Sequence, residues 1–217
     1  VDARLRGVPL AEIDPDDYKL NVIKGAVLLR ASDRDPKMLD QATEILERVY
    51  DWRSPMRHEP YELLYYGLAR QKQGLRKIGE AIRLEDRAAR APDKQRHDEF
   101  ANKAAAQRAL ATTELRKADE LLSHLIERGE LLRMVHNHRL QIARQLGDDE
   151  TFEISAKAFL EKMKEERAVV EADVKRTIIP DYEVQQYRYL VDLKAEELDV
   201  RALYADWLFN RKSFEKA

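Results

Sequence analysis

Residues 60–128 read PYELLYYGLARQKQGLRKIGEAIRLEDRAARAPDKQRHDEFANKAAAQRALATTELRKADELLSHLIER. Apolar positions recur three and four residues apart on both sides of Ala91-Pro92-Asp93. Proline cannot continue a helix and aspartate can cap the next one, so this pattern predicts an antiparallel helical hairpin. Both helices also carry small residues at seven-residue intervals, which would let the two backbones approach closely. We call them the small-residue seam: Gly67, Gly74, Ala81 and Ala88 on the first helix, Ala104, Ala111 and Ala118 on the second.

The rest of the chain is predicted to be helical as well. Proline follows an acidic residue at Asp14-Pro15, Asp35-Pro36 and Glu59-Pro60, as is typical of a first helical turn, and Pro180 opens another start. No run alternates between apolar and polar residues as a strand would. The predicted fold class is all-α, with long antiparallel coiled-coil-like hairpins and no sheet. The seven predicted helices cover residues 15–31, 36–52, 60–91, 93–128, 130–146, 149–178 and 180–210.

Two domains are predicted from the change in helix length. A short helical hairpin and an elbow at Arg53–Glu59 make up residues 1–59, because Pro55 and Pro60 interrupt helix continuity there. A long-helix bundle makes up residues 60–217. A helix of about 30 residues is about 45 Å long, whereas a compact domain of this size has a radius of gyration near 17 Å. We therefore expect an elongated, bent molecule.

Composition excludes several classes of partner. Lysine and arginine number 39 against 41 aspartates and glutamates, whereas nucleic-acid binding normally leaves a basic domain or stripe, so no nucleic-acid partner is expected. No stretch reaches the roughly 20 apolar residues that cross a bilayer, so no membrane insertion is expected. Cysteine is absent, which favours an exported, periplasmic location over a cytoplasmic one. The chain begins at Val1, so any targeting segment is expected to be already gone.

The polar motifs are better explained by helix surfaces than by chemistry. In His136-Asn137-His138 the two imidazoles point to different sides of a helix, so they are expected to be surface residues. Glu120 and His124 form a single pair, too few ligands for a di-metal site. Asp35 is expected to cap a helix rather than bind calcium. There is neither a phosphate loop nor a nucleophile elbow, so we predict a non-enzymatic protein without catalytic, metal-binding or cofactor-binding residues and without a small-molecule substrate.

The aromatic residues are the strongest functional lead. Tyr187 and Tyr189 lie on different faces of the last helix and cannot both enter one core, whereas Trp207 continues the regular core stripe. Aromatic rings are enriched at protein interfaces. We therefore expect protein partners or self-assembly. The candidate partner surface consists of Tyr65, Tyr66, Tyr187, Tyr189, Phe209 and Phe214.

Part of the chain resembles tetratricopeptide repeats. Ala118, Leu122 and Leu125 recur 34 residues later as Phe152, Ala156 and Phe159, Gly147-Asp148 stands where such a repeat turns, and Tyr61-x-x-Leu64-Tyr65-x-x-Leu68 resembles its first helix. The predicted helices are twice the length that this family uses, so the repeats would be degenerate. In predicted architecture the chain also resembles the helical flagellar-coiling sheath proteins of spirochaetes, which are exported, long-helixed and V-shaped.

These resemblances imply two functions. The first is a structural protein that packs laterally or end-to-end in a larger complex, such as a periplasmic flagellar filament sheath. The second is a tetratricopeptide-like adaptor that binds a peptide or a partner helix. Both work through protein surfaces.

Overall fold

The structure, a computed structural model, describes residues 18–51, 58–176 and 180–214, with the backbone alone at 175–176, 180–184 and 212–214. Within these ranges the chain is helical and contains no strand, which confirms the all-α prediction. The helices are α1 (Tyr18–Ala31), α2 (Pro36–Asp51), α3 (Pro60–Ala89), α4 (Lys94–Glu127), α5 (Leu132–Leu146), α6 (Asp149–Arg176) and α7 (Pro180–Phe214). The predicted elbow falls mostly outside the described residues.

α3 and α4 pack closely along the small-residue seam. A Cβ added to Gly74 would lie 2.7 Å from Leu115 Cγ, and one added to Gly67 would lie 3.1 Å from Leu122 Cδ2. As the numbering rises along α3 it falls along α4, so the two helices are antiparallel. All seven residues of the seam are buried. The coiled-coil geometry of this hairpin stays a prediction.

Not all apolar residues of α3 are buried. The side chains of Leu75 and Ile82 are exposed. α3 turns its small-residue face toward α4 and also packs against α1 and α2. Leu75 and Ile82 are left to solvent.

The first two helices pack beside the N-terminal half of α3. Ion pairs tie them to it, Arg76 to Asp40 at 2.7 Å and Lys72 to Asp33 at 2.6 Å. The chain therefore divides into two compact units after Glu130 rather than at residue 59, since α3 shares its surface with α2 as well as with α4.

Local turn residues end the helices of the hairpin and of the second unit. Gly129 (φ 69°), Leu131 (φ 51°) and Gly147 (φ 67°) adopt the left-handed conformation, which glycine tolerates without the strain that a side chain introduces. Asp93 Oδ1 accepts a hydrogen bond from the backbone nitrogen of Arg96 at 2.8 Å and so caps α4.

The second unit, from Leu131 onward, has its own core between α5, α6 and α7. The buried apolar residues that form this core are Leu140, Ala143, Phe152, Ala156, Phe159, Met163, Val170, Leu193 and Val200. Trp207 packs half-buried against this core, and its indole nitrogen donates to Asp149 Oδ1 at 2.8 Å. Among the described helices of both units, none is long and apolar enough to cross a membrane.

Candidate interaction surface

α7 has a second apolar face in addition to the one that it buries. Its inner face contributes Leu193 and Val200 to the core of the second unit. On the opposite side, exposed apolar residues recur at intervals of four, three, four, three and four. We call them the outer stripe of α7: Val191, Ala195, Leu198, Ala202, Ala205 and Phe209.

The large members of the outer stripe face solvent. Val191 is 66% exposed, Leu198 58% and Phe209 75%. A single exposed apolar side chain is common on any protein surface, but an aligned series along five turns of one helix is not. Alternating steps of four and three are the spacing of the a and d positions of a heptad, which keeps all six on one seam. This face has the pattern of a helix that packs against another helix.

Polar contacts hold α7 so that the outer stripe points away from the unit's core. Glu197, which is buried, accepts from Arg167 of α6 at 2.8 Å and from Arg201 at 2.7 Å. Charge-assisted bonds of this kind are stronger than neutral ones, and losing one partner would leave a buried charge. The rotation of α7 about its own axis is thereby determined.

A second network ties α5 to both long helices of its unit. Arg133 Nε pairs with Glu166 of α6 at 2.6 Å, and its Nη1 pairs with Glu196 of α7. Asn137 Nδ2 donates to Glu196 Oε1 at 2.9 Å. Burial and these two carboxylates together leave the pKa of Arg133 above its usual value, the carboxylates outweighing the cost of burial. The scaffold behind the outer stripe is therefore cross-linked between all three of its helices.

The predicted aromatic residues of α7 do not form one surface. Tyr187 is exposed and lies four residues before Val191, at the edge of the outer stripe. Tyr189 instead turns toward α6, where its hydroxyl donates to Glu166, so the expectation of different faces for the two tyrosines is confirmed. Phe209 belongs to the stripe. The side chain of Phe214 lies outside the described residues.

The tyrosines of α3 also separate. Tyr66 was expected on a partner surface, which is wrong: it is 1% exposed, and its hydroxyl donates to Glu47 Oε1 at 3.0 Å. Tyr65 is half-buried and stacks on the exposed ring of Tyr61 with centroids 6.1 Å apart. Of the three tyrosines of α3, Tyr61 and Tyr65 are therefore the two that a partner could contact.

A hollow of about 370 Å³ lies beside Tyr66, between α2, α3 and α4. Arg70, one of its lining residues, binds Glu114 Oε2 at 2.9 Å and also Glu47, so the charge of its guanidinium is already matched by two carboxylates. Lys117 on its rim lies over the ring of Tyr50, 5.5 Å from the centroid. The hollow is therefore a structural network that joins three helices rather than a ready anion site.

A buried acid lies at the start of α3. Glu62 is fully buried, its Oε1 lies 2.6 Å from His58 Nδ1, and its Oε2 accepts from the hydroxyl of Tyr18. Burial raises the pKa of Glu62 to about 7, against a smaller opposing effect of the Glu59 backbone N–H. Arg128 at the end of α4 donates to the carbonyl oxygen of His58 at 2.7 Å. This cluster therefore links the start of α3 to the end of α4.

The histidines of α5 are not surface residues, contrary to the prediction. His136 is buried, and burial lowers the pKa of His138 to about 4. Within the part of the chain that the structure describes, neither Nδ1 has a hydrogen-bond partner. The reason is that α5 packs along α6 and also contacts Glu196 of α7, so more of its surface is covered than if it packed on one side only.

The other polar motifs behave as helix-surface residues. Lys117 binds Glu120 at 3.3 Å, while His124 pairs with Glu127, so Glu120 and His124 do not meet. Asp35 accepts from the backbone nitrogen of Lys37 at 3.0 Å, as expected for a cap. Within the described ranges no three histidine or acidic side chains are grouped closely enough to hold a metal ion.

Sequence reasoning missed most of the outer stripe. The predicted surface consisted of aromatic residues alone, so it included Phe209 but not the aliphatic Val191 and Leu198. A test of the same helix for a second period of 3.5 residues would have found them. Comparison with known proteins gives no matching protein-family model, no matching curated protein and no matching solved structure. The function is therefore inferred from the chain's own residues.

Proposed function

We propose that this chain is a non-enzymatic structural protein that packs into a larger assembly through the outer stripe of α7. The observation that carries the proposal is the alternating four-and-three spacing of exposed apolar residues on a helix whose inner face is already buried. Exposed apolar surface of this regularity adds nothing to the stability of one chain. Covering it in an assembly would remove it from water.

The setting that we favour is an exported filament, such as a flagellar sheath in the periplasm. The absence of cysteine supports an exported location, and helices of 30 to 35 residues suit a component that packs along a filament. Protein surfaces, rather than nucleic acid, lipid or a small substrate, would be its partners.

The alternative is a tetratricopeptide-like adaptor that binds a peptide or a partner helix. Its support is the 34-residue repeat, whose two sets of three residues are all buried, as helix-packing positions of a repeat would be. An adaptor of this kind would bind its ligand in a groove between helices rather than on the outer face of the last one. The two functions therefore differ in which surface contacts the partner.

Site-specific photo-crosslinking in the native host tests the proposal. A photoreactive phenylalanine analogue replaces Val191 or Leu198 on α7 and, as matched controls, Ile154 or Val169, which are 55% and 62% exposed on α6. Covalent adducts are expected at the α7 positions and not at the controls. If the chain stays free at both α7 positions, the proposal is wrong. Adducts at the hollow, with the analogue at Thr113, would favour the adaptor.

A further inference from the structure

We infer that the occupant of the outer stripe is the same face of a second copy of this chain, with the two α7 helices parallel. This inference rests on the proposed function and names its partner. It follows from the charges beside the stripe, which differ in sign between its two edges.

The stripe fits a heptad pattern over residues 191–209. With residues labelled a to g, Ala195, Ala202 and Phe209 take the a positions, while Val191, Leu198 and Ala205 take the d positions. These are the two positions that form the apolar seam of a two-stranded coiled coil. Val191, Leu198 and Phe209 would supply the larger buried groups of this seam, and the three alanines the smaller ones.

The two edges of the stripe carry opposite charges. Lys194 and Arg201 occupy the first two g positions and are exposed, the third being Leu208, whereas Asp192, Asp199 and Asp206 occupy the e positions and are exposed too. Arg201 also binds Glu197 of its own helix, but through a side chain that is 58% exposed and can reach a second carboxylate. The stripe thus has one basic edge and one acidic edge over more than three turns.

This asymmetry selects the parallel orientation. When two identical helices pack in parallel about a two-fold axis, the g edge of each faces the e edge of the other, and a g residue meets the e residue five positions further along the partner. Lys194 would then face Asp199 of the second copy, and Arg201 would face Asp206. In an antiparallel pair, g faces g and e faces e, so the lysines and arginines of both copies would be brought together on one side and the three aspartates of each copy on the other.

Single-cysteine variants distinguish the two orientations, because the chain contains no cysteine of its own. A parallel pair in register brings each residue of the seam opposite itself, so Leu198→Cys and Ala205→Cys should each form a disulfide-linked dimer under mild oxidation. An antiparallel pair over the same stripe would place Val191 opposite Phe209. It would therefore give a crosslink only when Val191→Cys and Phe209→Cys chains, carrying tags of different mass, are mixed. Ile154→Cys on α6 is the control that should stay monomeric.

Charge reversal provides a second readout that does not depend on oxidation. Sedimentation equilibrium of the purified chain should show a monomer–dimer equilibrium, and Asp199→Lys should raise its dissociation constant roughly tenfold, because it places a lysine opposite Lys194 in both halves of the dimer. The double variant Asp199→Lys/Lys194→Glu should restore dimerisation. Far-UV circular dichroism should be unchanged throughout, since both residues are exposed.

The outcomes separate this inference from the proposed function. A crosslink only in the mixed tagged sample would show an antiparallel pair and overturn the parallel assignment. A purified chain that remains monomeric at every concentration and forms no disulfide would exclude a second copy as the occupant. Photo-adducts of Val191 and Leu198 with a different protein would then keep the proposed function while overturning this inference, and a free chain in the host would overturn both.

Discussion

Helices α4 and α7 are nearly equal in length, with 34 and 35 residues, but they distribute their apolar residues differently. α4 buries one face, which includes Leu115, Ala118 and Leu122 and packs against α3, and its exposed residues are mostly polar, with single apolar side chains such as Leu110 among them. α7 covers one apolar face with the core of its unit and leaves the outer stripe exposed. A helix such as α4 is stabilised within its own chain, whereas the second face of α7 has a regular period that only another helix would use.

The largest expected difference in stability comes from replacing one leucine by alanine on each of the two helices. Leu115→Ala on α4 removes a fully buried side chain that packs against Gly74, and it should cost about 2–5 kcal/mol of unfolding free energy. Leu198→Ala on α7 removes an exposed one and should change stability by less than about 0.5 kcal/mol. Urea denaturation at low protein concentration measures both. Equal losses would show that the outer face of α7 is packed within the chain.

The two units should also respond to pH in opposite directions, beginning with His138 in the second unit. Its pKa in the folded chain is about 4, against 6.5 for an ordinary histidine. Between these values the unfolded chain binds a proton that the folded chain does not, so stability is lost as the pH falls from 6.5 to 4, by about 3 kcal/mol. The difference in unfolding free energy between wild type and His138→Met, measured across this window, should shrink toward low pH. A constant difference would mean that His138 is solvated.

Glu62 in the first unit should produce the reverse trend. Its pKa in the folded chain is about 7, against 4.5 for an ordinary glutamate, so in this window the folded chain holds a proton that the unfolded chain has released. Its contribution is complete below pH 4.5 and is lost as the pH rises through 7, by an amount of the order of 3 kcal/mol. Glu62→Gln, which cannot titrate, is the reference for this measurement. If stability instead rose over the same window, Glu62 would be ionised and paired with a charged His58.

The contrast between these helices also shows what the sequence can and cannot predict. Local signals located the seven helices to within a few residues, because Pro60 at a helix start, Asp93 as a cap and Gly147 in a left-handed turn act on their immediate neighbours. The burial of Tyr66 and His136 depends on other helices that approach from far along the chain, and no local period reports that. The elongated, bent outline predicted from helix length stays a prediction.

The same difference between local signals and long-range contacts applies to the outer stripe of α7. The period of the outer stripe was readable in principle, but a helix with two apolar faces resembles one that is simply rich in apolar residues. Which face the core takes was settled by long-range contacts, among them the pair of Arg167 with the buried Glu197. The buried Glu197 interrupts the inner stripe with a charge, and Val191 and Leu198 are less conspicuous in the sequence than the aromatic rings of the same helix.

The smallest expected effect on stability comes from substitutions that enlarge a side chain, alanine to leucine, once on each of the two helices. Ala111→Leu places three extra carbons in the seam, where the Ala111 carbonyl oxygen already lies 3.2 Å from the position of a Cβ on Gly74, so overpacking should cost about 1–3 kcal/mol. Ala202→Leu adds the same group to the outer stripe, where it meets solvent in a single chain and should leave stability nearly unchanged. At higher concentration it should strengthen association, because a larger apolar side chain at an a position buries more area between two copies. Thermal unfolding at two protein concentrations measures both effects. An Ala202→Leu chain whose unfolding temperature is the same at both concentrations would argue that this face is left uncovered by a second copy.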